Sequence, residues 1–199
     1  MSNIKLFNKW DASGVVVEDL GLKRYLNISP IIVPRTGGRN TTTNFHRNKT
    51  TIYERLVNKL QVPGHKGKKH KSTSGRNTGK AYKNQKVVEQ VFKILEEKTK
   101  QNPIQVFVKA IENAAPRDEI TSIEYGGARY PQAVECSPQR RIDIVLRIMV
   151  QGSYQKVYGK KAKIVDVLAD EILKAYNKDP TSAAMAKKIE LERQADASR

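Results

Sequence analysis

The chain has 199 residues, with 37 Lys and Arg against 20 Asp and Glu, a net charge of +17, and 38% hydrophobic and 7% aromatic residues. That length suits one domain with attached basic segments, or at most two small domains, around a modest core. Such a cation excess repels itself and calls for a polyanion, nucleic acid first and an anionic membrane second.

No stretch approaches ~18 apolar residues, which excludes a membrane span, and Met1 to Trp10 lacks an apolar core of signal-peptide length. The single cysteine, Cys136, rules out an internal disulfide framework, in keeping with a reducing cytosol.

Residues 1–50 read as an N-terminal extension, basic towards its end, where Arg35, Arg39, Arg47 and Lys49 accompany Gly37-Gly38 and a Thr41-Thr42-Thr43 run. Residues 51–199 read as a helical RNA-binding domain. Thr51-Ile52-Tyr53-Glu54 has capping-box spacing, and Tyr53, Leu56, Val57 and Leu60 form a helical stripe that Pro63-Gly64 stops. A basic loop, 63–83, follows without apolar periodicity; it holds Lys66, Lys68, Lys69, Lys71, Arg76, Lys80 and Lys83.

Val88, Val91, Phe92 and Leu95 predict a helix from about Asn84 to Lys98. Asn102 then caps, Pro103 starts and Gln105 completes the box of the next helix, whose stripe is Ile104, Phe107, Val108 and Ile111. After Pro116 the period changes to two. Glu119 to Tyr125 and Ala128 to Cys136 predict strands joined at Gly126-Gly127, a hairpin over 119–136 that sets Glu124 opposite Arg129 and Ile123 opposite Tyr130. Pro131 marks a projecting arm, and a lone hairpin must lean on helices at its base or on a partner at its tip.

Ser137-Pro138 opens a helix with Ile142, Val145, Leu146 and Met149 inward and Arg140, Ile144 and Arg147 on the other side. A further helix carries Ile164, Leu168, Ala169 and Ile172. Asp179-Pro180 starts a last one, whose sparse apolar residues (Met185, Ile189) and its Lys187, Lys188 and Arg193 require a surface to pack on. The fold expected is therefore mainly α, a bundle of about six helices with a projecting two-stranded β-hairpin arm and a basic N-terminal extension and loop.

The charge is concentrated. Between Arg35 and Lys83 lie 13 Lys and Arg and one acid, Glu54, and all three histidines (His46, His65, His70) fall there too. A solvated linker is the bland alternative; two basic runs flanking one short helix favour a phosphate-binding surface with steep salt dependence. The few aromatics here, Phe45, Tyr53 and Tyr82, argue against base stacking as the main mode and for reading RNA shape and backbone. Arg140 and Arg147 are either a second basic strip beside the hairpin or a solvated face.

Catalytic patterns are missing. Gly75-Arg76-Asn77-Thr78-Gly79-Lys80 has one residue too few between its glycines for a phosphate-binding loop, and Ala81 stands where magnesium needs Ser or Thr. One cysteine and three loop histidines lack zinc spacing, and Cys136 has no adjacent histidine, so packing is its simpler role. The rivals are a general nucleic-acid packaging or DNA-binding protein, for which no helix-turn-helix signal is present, and an RNA-processing enzyme, for which no acid–base or metal site is present.

Asn102-Pro103-Ile104-Gln105-Val106-Phe107-Val108-Lys109-Ala110-Ile111-Glu112-Asn113-Ala114-Ala115-Pro116-Arg117 resembles the central helix of the small-subunit ribosomal protein seven family. Tyr125-Gly126-Gly127, and Ala133 through Arg141, are similar to that family's hairpin arm and following helix. The resemblance runs from Ile4–Trp10 to Ile189–Arg193 and is of the archaeal type. It implies a cytoplasmic, non-enzymatic constituent of the small ribosomal subunit, without cofactor or metal. It further implies primary binding to the 3′ major domain of 16S-type rRNA, nucleating assembly of the subunit head near the decoding region. Ribosomal proteins nine and eleven are the implied neighbours, with no membrane partner, and the arm (Tyr125, Gly126, Gly127, Arg129) would approach exit-site tRNA and the mRNA path.

By position, Gly79-Lys80 matches an RNA-contacting loop of the family, and Arg117, Arg129, Arg140 and Arg141 match basic positions around its hairpin. Charge and resemblance together give an expected rRNA-binding set of Arg35, Arg39, Arg47, Lys49, Lys66, Lys68, Lys69, Lys71, Arg76, Gly79, Lys80, Lys83, Arg117, Arg140, Arg141 and Arg147. Two departures stand out. The loop from His65 to Lys80 is longer and more basic than in bacterial relatives, and Tyr154, Lys156 and Tyr158 replace a turn of small residues.

Overall fold

The computed structural model describes residues 4–63 and 77–199. Among these, seven α-helices and one hairpin follow in chain order: α1 (Leu20–Lys23), α2 (Ile52–Gln61), α3 (Ala81–Thr99), α4 (Pro103–Ala114), β1 (Asp118–Tyr125), β2 (Ala128–Glu135), α5 (Pro138–Val157), α6 (Ile164–Tyr176) and α7 (Ala183–Asp196). Two 3-10 turns, Arg39–Thr41 and His46–Lys49, precede α2. With α1 a single turn, six helices make the bundle, as the periodicity predicts.

The apolar stripes become one core. Leu56, Val88, Phe92, Leu95, Ile104, Phe107, Ile111, Ile142, Leu146, Leu168 and Ile172 are fully buried; each such side chain contributes about 1.5–3 kcal/mol relative to exposure. Phe92 lies at its centre, with ring centroids 5.6 Å from Phe107, 5.8 Å from Trp10 and 6.4 Å from Tyr53. Residues before 50 feed the same core through single anchors: Leu6, Trp10, Ala12, Val17, Leu22 and Leu26 are all buried. The Trp10 indole donates to Glu96 Oε2 at 2.9 Å. The Glu112 carboxylate accepts the backbone N–H groups of Glu18 and Asp19 and holds that strap against α4.

Three expected helix starts are built differently. Thr51 precedes α2 but its hydroxyl makes no capping bond, and Glu54 does not reach back to it; buried, Glu54 accepts from the backbone N (2.9 Å) and hydroxyl (2.7 Å) of Thr36. Asn102 caps α4 through Ile104 N at 3.0 Å, yet Gln105 turns away to bond both the N–H and the carbonyl of Val16. In both cases a tertiary partner takes the side chain that local spacing assigns to the cap. The last helix starts at Ala183, with Ser182 as its cap; Asp179 instead closes the turn before it through Thr181 N at 2.8 Å.

At the far end α5 runs on through Tyr154 and Lys156 to Val157, and the Tyr154 and Tyr158 rings pack at 5.8 Å. Gly152 lets α7 approach α5 closely, since a Cβ there would lie 2.6 Å from the Ala183 Cβ. Fully buried Glu171 joins three helices, accepting from Lys156 Nζ (2.8 Å), Ser182 Oγ (2.8 Å) and Ala184 N (3.2 Å). No helix among the described residues is long and apolar enough to cross a membrane.

The hairpin has the expected register, Glu124 opposite Arg129 and Ile123 opposite Tyr130. Gly126 and Gly127 adopt φ +59° and +80°, the left-handed pair that a two-residue turn needs to match strand twist. Its outer half is exposed and only its base is partly covered. There α7 leans on it: Arg117 N donates to Glu192 at 3.1 Å and Arg199 pairs with Asp118 at 2.5 Å.

Candidate nucleic-acid interface

Two helices and one turn build a cationic recess. On α2, Arg55 and Lys59 are four residues apart, and on α5 Gln139, Asp143, Arg147 and Gln151 recur at four-residue intervals, so each set lines one side of its helix. Arg47, from the 3-10 turn, joins them. Asp143 receives all three neighbours: Arg47 Nη1 at 3.0 Å, Arg55 Nη2 at 3.3 Å and Lys59 Nζ at 3.9 Å. The recess holds about 500 Å³ and is also lined by Thr41, Thr50, Asn58, Arg147 and Gln151. A second, of about 330 Å³, continues from Arg47 and Arg147 to Gln139 and Arg140.

The electrostatics favour an anion. Burial opposes ionisation of Asp143, but the charges of Arg55 and Lys59, with hydrogen bonds from Arg47 and Arg55, outweigh it and hold the carboxyl below its ordinary value. Lys59 is pushed down, by burial first and then by repulsion from Arg147, Arg47 and Arg55, which Asp143 only partly offsets. One carboxylate thus faces four cations. Arg55, with a side chain only 4% exposed, depends on that carboxylate; Arg47 and Arg147 remain exposed at the rim.

The expected site residues divide. Arg47 and Arg147 come together here, with Arg140 at the edge, its Nε 2.6 Å from Glu119. Arg35, Arg39 and Lys49 are exposed along the segment leading into the face. Gly79, Lys80 and Lys83 are exposed around the start of α3, which Gln85 ties to the Pro34 carbonyl. Arg117 is exposed at the hairpin base. Arg141 is turned inward instead, its Nη2 2.9 Å from Asp19 Oδ2 and its Nε donating to the Pro116 carbonyl at 3.0 Å, so it ties the N-terminal strap to the arm.

Tyr125, Gly126, Gly127 and Arg129 form the exposed tip, where Arg129 lies 3.6 Å from Glu124. Lys66, Lys68, Lys69, Lys71 and Arg76, with His65 and His70, lie outside the described residues. Sequence pattern alone does not single out Arg55, Lys59 or Asp143. The signal was the lone acid among Arg140, Arg141 and Arg147, four residues before Arg147.

Cys136 is packed, and burial, then the neighbouring Glu119, push its thiol up to about 11, leaving it neutral at pH 7. Among the described residues no group of three His, Cys, Asp or Glu side chains could hold a metal ion.

Fold and face together define a mainly helical, hairpin-armed protein with a cationic surface suited to a polyanion. The profile of one family, described as ribosomal protein S7p/S5e, matches residues 29–199. The chain is 50% identical over 196 residues to the small ribosomal subunit protein uS7 of Nanoarchaeum equitans, covering 98% of this chain and 99% of that one. It is 44% identical to the protein of the same name from Methanosphaera stadtmanae (96% of each chain) and 40% to that of Methanothrix thermoacetophila (98% and 100%). The chain belongs to the ribosomal protein S7p/S5e family.

Proposed function

We propose that this protein is a structural, non-enzymatic constituent of the small ribosomal subunit that binds rRNA through the α2–α5 face and the basic segments flanking α2. The observation that carries this reading is the recess in which Arg47, Arg55, Lys59 and Arg147 surround a single carboxylate. Its excess charge suits phosphates, and the stiff helices beneath it hold the cations in place. The target is the 3′ major domain, where binding nucleates the subunit head. The arm then lies towards exit-site tRNA and the mRNA path, beside ribosomal proteins nine and eleven, in the cytoplasm.

The test is binding to a transcript of that rRNA domain across a salt series. With about eight phosphates contacted, log affinity falls against log salt with a slope of about −6 to −7; a slope near zero, or equal affinity for duplex DNA, defeats the reading. Neutralising Lys66, Lys68 and Lys69 weakens binding across RNAs. The protein also travels with small subunits in sedimentation at moderate salt.

A further inference from the structure

Phe45 breaks three local rules at once. At 85% exposure it is the most exposed large apolar side chain among the described residues. Its backbone sits at φ +64°, ψ −5°, a left-handed conformation in which a β-carbon is crowded and Gly or Asn is favoured. It also stands at the N-terminal cap of the His46–Lys49 turn, where its ring satisfies no backbone donor.

The other non-glycine residues at positive φ each have a local reason. Phe7 packs edge-on to Trp10 and Asn8 tolerates the region, while Lys100 and Lys178 follow the ends of α3 and α6. Phe45 gains no packing in return, and strain of this kind is retained where function needs it.

Its surroundings name the ligand class. Phe45 borders a recess of about 340 Å³ lined by Asn40, Thr41, Thr43, Asn44, Arg47 and Gln139. This is the low end of sites that take a small planar group. The lining offers amide and hydroxyl donors and acceptors and one guanidinium, with no acid. Arg47 is shared with the α2–α5 face, so the two surfaces are continuous. An apolar protein partner would find polar walls around one ring. An unpaired base finds a stacking face, hydrogen-bonding groups for its edge and a cation for its phosphate.

We propose that Phe45 is a stacking platform for one unpaired nucleobase of the RNA lying on the cationic face, an inference that rests on the function proposed above. The test uses the full chain and the same rRNA transcript. Phe45→Ala lowers affinity about tenfold, within the range of base–aromatic stacking, and leaves the slope of log affinity against log salt unchanged, because no phosphate contact is lost. Phe45→Asn relieves the backbone, so its melting temperature stays level or rises while its affinity falls as far as that of Phe45→Ala. Phe45→Trp keeps the affinity, and its emission is quenched on RNA addition above a constant background from Trp10, the only native tryptophan.

Wild-type affinity in the Ala and Asn variants, or a blue shift without quenching in the Trp variant, overturns the platform alone. Failure of the wild type to bind rRNA at all overturns both the platform and the reading of the face.

Discussion

The α2–α5 face and the base of the hairpin are both rich in arginine, yet they handle charge in opposite ways. At the hairpin base every paired arginine has at least one acid of its own: Arg140 has Glu119, Arg141 has Asp19, and Arg199 has both Asp118 and Asp196. On the α2–α5 face one carboxylate, Asp143, serves Arg47, Arg55 and Lys59, and Arg147 adds a fourth cation. The first arrangement saves its arginines for internal bracing. The second leaves positive charge unspent and directed at solvent. Net charge alone does not distinguish them; the count of acids within reach does.

The largest effect should come from removing the one acid of the cationic face. Asp143→Ala leaves the buried Arg55 guanidinium its bond to the Tyr25 carbonyl but no carboxylate, and costs about 3–5 kcal/mol in urea denaturation; a loss below about 1 kcal/mol would mean the face needs no central acid. The same carboxyl gives a pH signature. Asp143 and Asp19 both titrate below their ordinary value of 3.8, so the stability they contribute is complete above that value and is lost as pH falls through their lowered folded values. Replacing Asp143 by Asn flattens that acid limb.

Next in size is Gly152→Ala, which forces α7 away from α5 and costs about 1–3 kcal/mol despite its better helix propensity. Hydrogen exchange should then rise at the hairpin base and not at the α2–α5 face.

Arg141→Ala and Arg147→Ala, on one helix, separate the regions most directly. The former loses about 1–2 kcal/mol of stability with its bonds to Asp19 and Pro116 and leaves the salt slope of RNA binding unchanged. The latter changes stability by less than about 0.5 kcal/mol and lowers the slope by about 1. Smallest is Arg129→Ala, whose exposed pairing with Glu124 is worth about 0–1 kcal/mol and whose loss leaves rRNA affinity nearly intact while altering subunit function.

The helices of the bundle were legible because their apolar residues recur at helical spacing, and the hairpin because Gly126-Gly127 falls between two alternating runs. The caps at Glu54 and Gln105 were misread because Thr36 and Val16 compete for those side chains, and no local pattern announces them. The anchors before residue 50 follow no period, being single side chains on an irregular strap. The inward turn of Arg141 depends on a partner 122 residues away. Spacing along α5 marks Arg140, Arg141 and Arg147 as basic but cannot say which one faces a distant acid.

The brace that α7 supplies to the arm has a consequence for biosynthesis. Arg117 and Glu192 are 75 residues apart, and Asp118 and Arg199 are 81. At about 5–20 residues per second, the ribbon emerges roughly 4 to 16 s before the helix that steadies it. Through that interval both flanks are open to a third strand from any neighbouring nascent chain. Pro131 and the charges at Glu124 and Arg129 guard the outer half throughout, since it stays exposed even after α7 has closed on the base.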